Sequence, residues 1–275
     1  MLKLFDTHTH YDDEAYDNDR DELLRTMFGA PERGVAGFIA IGCSPERNLK
    51  AISIAEKYKN VYAAVGVHPG DLRGLPDDYI KNLRDLAKNK KTSAIGEIGL
   101  DYHYEGYSRS VQIKAFREQL DLATSLSLPV IIHSRDATAD TLEILREYLP
   151  SLKRSSTNEQ LSKTGRVGVV MHCFSGSVET SKELFKMGIM ISFTGVLTFK
   201  NAKKAVEAAA VVPMEMLMLE TDCPYMAPVP FRGGRCDSGM AWYIAEKLAE
   251  IKDMTTEEVV KICNDNAKKF FNISF

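Results

Sequence analysis

Eight short apolar runs, separated by longer amphipathic stretches, constrain this chain more than any other feature of it. The runs cover residues 2–10, 37–43, 61–69, 92–101, 129–136, 167–174, 188–195 and 216–224. Each is rich in Val, Ile, Leu, Phe or Met and has about the length of a strand buried on both faces. Helical spacing of apolar residues marks the intervals 22–33, 46–57, 77–89, 112–125, 138–148, 178–186 and 202–210, then 238–251 and 256–270 after the last run. Thr255-Thr256-Glu257-Glu258 reads as a helix start with acidic residues in its first turn.

Strands that alternate with helices build a parallel sheet, either closed into a barrel or open and doubly wound. Eight such units in 275 residues fit the TIM (β/α)8 barrel. No G-x-G-x-x-G follows the first run, which argues against a dinucleotide-binding sheet. The expectation is an α/β barrel with residues 1–275 as a single domain. One stretch, 150–165, breaks the rhythm with the polar sequence Lys153-Arg154-Ser155-Ser156-Thr157-Asn158. It is expected to be a mobile surface loop at the amino-terminal face of the barrel, away from any chemistry.

Six histidines fall at or just past the ends of these runs. His8 and His10 end the first, His68 the third, His133 the fifth and His172 the sixth, while His103 lies just past the fourth. Strand ends make up roughly a fifth of such a chain, so chance placement does not produce this pattern. The carboxyl-end face of a barrel does, because it gathers distant residues into one pocket.

Two carboxylates join the histidines. Glu97 sits inside Ala94-Ile95-Gly96-Glu97-Ile98-Gly99, and Asp222 inside Leu219-Glu220-Thr221-Asp222-Cys223-Pro224. A charge in an apolar strand is costly unless it is paired or bound to a metal, and a cation explains both at once. His8 and His10 are two apart on a strand, so both point the same way and can chelate one ion. Imidazole with carboxylate suits zinc, manganese, iron or cobalt, whereas magnesium favours more oxygen. Such an ion lowers the pKa of bound water and yields hydroxide near neutral pH.

Each residue also has a plainer reading. A single histidine is more often a hydrogen-bonded structural residue than a ligand, and only the set argues otherwise. His68 precedes Pro69 and is expected to face substrate rather than bind metal. His103 is expected in a loop. Alternation points Cys173 and Cys223 away from the pocket, as core thiols. Asp6 and Glu220 share parity with His8 and Asp222, so they either orient ligands or form ordinary buried pairs. Arg135 shares the face of His133, and a guanidinium there matches a phosphate; the plainer alternative is a buried ion pair. Lys200, Arg232 and Arg235 are either solvated surface charges or further phosphate contacts.

Net charge is −3 and the isoelectric point about 6.1, which excludes a protein held on nucleic acid by a broadly basic face. A site that grips a few phosphates remains compatible with it. The five cysteines are odd in number and form no C-x-x-C, as expected of reduced thiols. No run reaches the roughly 18 apolar residues of a membrane span, and no secretory signal is expected at the amino terminus.

Taken in order, the motifs resemble one family. They are Asp6-Thr7-His8-Thr9-His10, Gly66-Val67-His68-Pro69, Gly96-Glu97-Ile98-Gly99-Leu100-Asp101, Pro129-Val130-Ile131-Ile132-His133-Ser134-Arg135, His172-Cys173-Phe174-Ser175-Gly176 and Glu220-Thr221-Asp222-Cys223-Pro224. Ser192-Phe193-Thr194-Gly195 and Thr198-Phe199-Lys200-Asn201 add to the match. The set is similar to the TatD deoxyribonucleases of the amidohydrolase superfamily. That resemblance implies a barrel phosphodiesterase acting on DNA, often as an exonuclease, in the cytoplasm or in a nucleus. It implies two divalent ions (zinc, magnesium or manganese), one held by His8, His10, Glu97 and Asp222, the other by Glu97, His133 and His172. Glu97 then bridges. The segment Arg232-Gly233-Gly234-Arg235-Cys236-Asp237-Ser238 keeps both arginines of the family's Arg-Gly-Lys-Arg-Asn-Glu-Pro but changes four other positions, so within it only Arg232 and Arg235 are expected as substrate contacts.

The expected reaction is hydrolysis of a DNA phosphodiester. Asp222 accepts a proton from the attacking water. The ions and Arg135 stabilise charge on the non-bridging oxygens, with Arg232 and Arg235 as further substrate contacts. His68 aids the leaving group or holds substrate. Two alternatives stand beside this: a superfamily hydrolase of an amide, lactone or phosphomonoester, and a barrel retained as a scaffold without turnover.

Overall fold

Every apolar run forms a strand. The computed structural model describes residues 2–103, 108–155 and 167–275, with the side chains of residues 154 and 155 outside that description. The strands are β1 (Leu4–Thr9), β2 (Val35–Ile41), β3 (Val61–Val65), β4 (Thr92–Asp101), β5 (Val130–Arg135), β6 (Val169–Met171), β7 (Met190–Phe193) and β8 (Leu217–Leu219). They pair in chain order, each parallel to the next. Between β8 and β1, Thr9 bridges Cys223, the His10 amide donates to the Cys223 carbonyl at 2.8 Å and the Asp222 amide to the His8 carbonyl at 3.0 Å. The result is a nearly closed eight-stranded barrel. Its strands are covered by helices on one side and filled by side chains on the other, which is why β1 and β4 are buried at every residue.

The helices are α1 (Arg20–Gly29), α2 (Pro45–Lys57), α3 (Tyr79–Leu86), α4 (Arg109–Leu126), α5 (Thr138–Ser155), α6 (Val178–Lys186), α7 (Lys203–Val211), α8 (Ala241–Lys252) and α9 (Thr256–Phe271). Local chemistry sets several starts. Ser44 caps α2 through the Arg47 amide, with Pro45 in the first turn, where its missing N–H costs nothing. Thr255 and Glu258 form a reciprocal capping box on α9.

One expectation fails here. The loop expected to start at Pro150 is still helix there, because α5 runs through Pro150 to Ser155. Proline costs a helix an N–H and a steric clash, but Leu152, 4% exposed, anchors the turn beyond it on the core. Residues 156–166, and with them the rest of that loop, lie outside the described residues. Helix α8 also starts at Ala241 rather than 238, after a single 3-10 turn at Ser238–Met240.

Buried amide side chains pin the irregular backbone where β3 and β4 end. Asn48 on α2 donates to the Gly66 carbonyl at 2.9 Å and accepts from the Gly66 amide at 3.0 Å. Gln119 on α4 does the same for Val67, at 3.1 and 2.7 Å. Gln112, seven residues earlier and so on the same face of α4, clamps Asp101 at 2.7 and 2.8 Å. Each clamp satisfies a donor and an acceptor that leave the strand ladder inside the protein, where unpaired groups are expensive. Gly99 serves the same region differently. Its φ is +142°, and a Cβ there would lie 2.0 Å from the His133 carbonyl oxygen, so only glycine lets β4 approach β5 at this point.

Candidate metal centre

The carboxyl ends of β1, β4, β5, β6 and β8 deliver His8, His10, Glu97, His133, His172 and Asp222 to one place. On the β1 side, His8 Nε2 and His10 Nε2 are 3.2 Å apart. Glu97 Oε2 lies 3.4 Å from the first and 3.9 Å from the second. Asp222 Oδ1 lies 3.6 and 3.3 Å from the same two nitrogens. On the β5 side, Glu97 Oε1 is 2.8 Å from His133 Nδ1 and 2.7 Å from His172 Nε2, and those two nitrogens are 3.4 Å apart. Ligand atoms around one ion, at about 2.1 Å from it, stand roughly 3 to 3.5 Å from each other. The donors therefore fit divalent cations in spacing as well as in chemistry. The two oxygens of Glu97 face two separate groups of imidazoles.

Electrostatics at Glu97 agree with a site built for positive charge. Burial alone would raise its carboxyl, but His172, His133 and His8 hold it well below the usual carboxylate range. Burial drives the His8 imidazole down, and His172, stacked ring to ring on it at 4.1 Å, adds to that. For Asp222, burial works upward, yet His10 and His8 outweigh it and keep the carboxylate ionised.

A second layer of carboxylates supports the donors. Glu220 Oε1 accepts from the Cys173 amide and lies 3.4 Å from His172 Nδ1. Its other oxygen accepts from Ser192 Oγ. Asp6 accepts from the His8 amide at 3.3 Å, the Thr221 amide at 3.0 Å, Thr221 Oγ1 at 2.6 Å and Ser238 Oγ at 2.7 Å. It thereby ties β1 to the segment that carries Asp222.

His68 stands at the rim, with Nε2 3.9 Å from Glu97 Oε1. Its Nδ1 accepts from the Gly70 amide at 3.0 Å. An accepting Nδ1 leaves the proton on Nε2, so the ring presents a donor to the site rather than a lone pair. Burial pushes this imidazole down to about 4, which keeps it neutral at pH 7. Although His68, Glu97 and His133 lie close enough to hold an ion, the tautomer opposes ligation by His68.

The arginines separate. Arg135 ends β5 on the exposed rim of a cavity that also includes His172. Arg232 places its guanidinium 4.3 Å above the Phe199 ring. Arg235 grips both oxygens of Asp19, at 2.8 and 2.5 Å, and the Ala15 carbonyl at 2.7 Å. Its donors hold the residues just before α1. His103 lies in a loop as expected, 3.0 Å from Asp136.

Cys173 departs from its expected place. It follows the end of β6 with φ +45°, so strand alternation no longer applies, and it lines the cavity beside His172. Burial pushes its thiol up to about 12. Cys223 is fully buried, the core thiol expected, but it lies beyond β8 and follows Asp222 at φ +59°, so alternation does not place it. Two residues escaped sequence reasoning. Asp101 Oδ2 lies 3.0 Å from His133 Nε2; its position four residues after Glu97 on the same strand was an available signal. Cys43 Sγ lies 3.9 Å from His10 Nδ1 and 3.8 Å from Glu97 Oε2, and a thiol ending an apolar run carries no such signal.

A family model described as TatD related DNase matches residues 5–272. The chain is 39% identical to the metal-dependent hydrolase YabD of Bacillus subtilis (strain 168), covering 98% of this chain and 100% of that one. It is 34% identical to a protein of Cronobacter sakazakii named 3'-5' ssDNA/RNA exonuclease TatD, over 82% of this chain and 80% of that one. Among solved structures, the TatD homolog YjjV from Escherichia coli K12 superimposes with a TM-score of 0.86 at 28% identity, covering 98% of each chain.

Proposed function

The chain belongs to the TatD-related DNase family of metal-dependent hydrolases, and from that premise we propose that it hydrolyses DNA phosphodiesters, from a strand end, at a centre of two divalent ions. The observation that carries this reading is the division of Glu97. One oxygen faces His8 and His10, the other His133 and His172, which supports two ions sharing one carboxylate. His8, His10, Glu97 and Asp222 would hold the first, and Glu97, His133 and His172 the second. Bound there, divalent ions supply Lewis acidity toward phosphoryl oxygens and acidify water.

The residues of the chain do the rest. Asp222 is ionised and its side chain is 13% exposed, so it can take the proton of the attacking water. Asp101 holds His133 in register through the far ring nitrogen, as carboxylates commonly do for ligating histidines. His68 donates from Nε2 to the leaving oxygen or to a non-bridging oxygen of the phosphate. Arg135, on the wall of the cavity that includes His172, balances the charge of the phosphodiester.

The test is a matched substrate panel: single-stranded DNA, a phosphomonoester and a cyclic amide, each with chelator and with metal restored. Metal-dependent release of nucleotides from DNA alone is the expected result. Turnover of the amide or the monoester in preference to DNA would move the protein elsewhere in the superfamily.

A further inference from the structure

The imidazoles of the centre differ in what stands behind them. An imidazole that gives one ring nitrogen to an ion needs a partner on the other, to fix its tautomer and its orientation. On the β5 side that partner is a carboxylate. Asp101 Oδ2 lies 3.0 Å from His133 Nε2, and Glu220 Oε1 lies 3.4 Å from His172 Nδ1. The β1 side is built differently. His8 Nδ1 is buried and has no hydrogen-bond partner among the described residues. His10 turns Nε2 toward His8 and Asp222, and Nδ1 toward a thiol, Cys43 Sγ, 3.9 Å away.

Cys43 is joined to the centre at three points. It lies two residues past β2 and is 5% exposed, so its sulfur is nearly closed to water. Besides His10, Sγ approaches Glu97 Oε2 at 3.8 Å, the oxygen that faces His8 and His10. The Cys43 carbonyl accepts from the His68 amide at 2.8 Å, and the neighbouring Gly42 carbonyl accepts from the Glu97 amide at 3.2 Å. A thiol has one proton to donate and a sulfur that accepts. The two side-chain contacts use one of each: an ionised carboxylate only accepts, and a ring whose Nε2 is given to an ion has only an Nδ1–H to donate.

We propose that Cys43 is a positioning residue for the ion on the β1 side. Its sulfur accepts from His10 Nδ1–H and its thiol donates to Glu97 Oε2, so one side chain orients two of that ion's donors. Hydrogen bonds of a thiol are weak, so this ion has a softer support than the one backed by Asp101 and Glu220. The inference rests on the two-ion reading above and is independent of DNA as the substrate.

The experiment is zinc titration of metal-stripped protein against a chromogenic chelator, for wild type, Cys43→Ala and Cys43→Asn. Alanine removes both polar contacts. Asparagine restores them on a longer side chain, with a carbonyl that accepts and an amide that donates. Loss of such a partner weakens metal binding by about 10- to 100-fold, and for a weak sulfur partner the lower figure applies. Cys43→Ala should therefore bind one of its two zinc equivalents about tenfold more weakly, with the other within about twofold of wild type. Cys43→Asn should return the weakened equivalent to within about threefold of wild type. A cysteine that merely fills space would give the reverse order, because asparagine brings a polar group into an apolar gap. Wild-type affinity in Cys43→Ala, a loss spread over both equivalents, or zinc binding by Cys43→Asn no tighter than by Cys43→Ala overturns the proposal. The two-ion reading fails separately: wild type saturating at one zinc would remove it, while weakening of that single ion by alanine and recovery by asparagine would still place Cys43 behind it.

Discussion

Glu97 concentrates the electrostatics of this protein. A carboxylate 3% exposed needs compensating charge, and the imidazoles of His8, His172 and His133 surround it for that purpose. Replacing Glu97 with Ala should abolish nearly all turnover, by about a thousandfold or more in kcat, and should lower the metal content measured by atomic emission below two ions per chain. His68 should behave differently, because its accepting Nδ1 places the proton on Nε2. His68→Ala should lower kcat by about a hundredfold or more while leaving metal content unchanged. Loss of an ion in that variant would show that His68 is a ligand and that the tautomer assigned to it is wrong.

At the scale of elements, the site depends on how helices grip strand ends. Gln119 satisfies both backbone groups of Val67, the neighbour of His68. Gln119→Leu leaves two buried groups unpaired and should cost about 2 to 4 kcal/mol of stability by chemical denaturation. It should also lower kcat in the native protein. In a His68→Ala background that kcat effect should vanish, because the clamp acts through His68; an undiminished effect there would show that it does not. At the far end of the chain, Thr255→Ala should cost about 1 kcal/mol. Hydrogen bonds from Thr255 hold the Glu258 carboxyl below its usual value of 4.5. A lowered carboxylate stabilises the fold above that value, and the contribution is lost as pH falls through the folded one. The melting-temperature gap between wild type and Glu258→Ala should therefore be open at pH 7 and narrow as the pH falls below 4.5.

Legibility also differs by element. Strands announce themselves because burial on both faces demands unbroken apolar runs, and all eight fall where those runs predict. Helix ends are read less well. Pro150 signals a stop by local chemistry, but Leu152 finds a tertiary contact that extends α5 past it. The amide clamps are invisible in the sequence. Nothing local distinguishes Gln112 and Gln119 from surface glutamines until α4 is laid against β3 and β4.

For the whole molecule, closure of the barrel turns scattered residues into a centre. Residues from position 8 to position 222 come within ligand spacing only because β8 meets β1, where the Asp222 amide bonds the His8 carbonyl. The donors were legible because the fold confines chemistry to one face, so histidines at strand ends have a common destination. Asp101 and Cys43 were less so, since their role appears only from the orientation of a partner ring. Among the described residues no helix is long and apolar enough to cross a membrane. Ions that bind only the native centre stabilise it, so chelation should lower the melting temperature as well as remove activity, and metal add-back should restore both.

The central claim is that one carboxylate joins two ions, and anomalous scattering from crystals of the protein purified without added chelator measures that directly. Two peaks about 3.5 to 4 Å apart, with Glu97 touching both, His8 and His10 on one and His133 and His172 on the other, is the predicted result. A single peak, or two ions of which Glu97 touches only one, would contradict it.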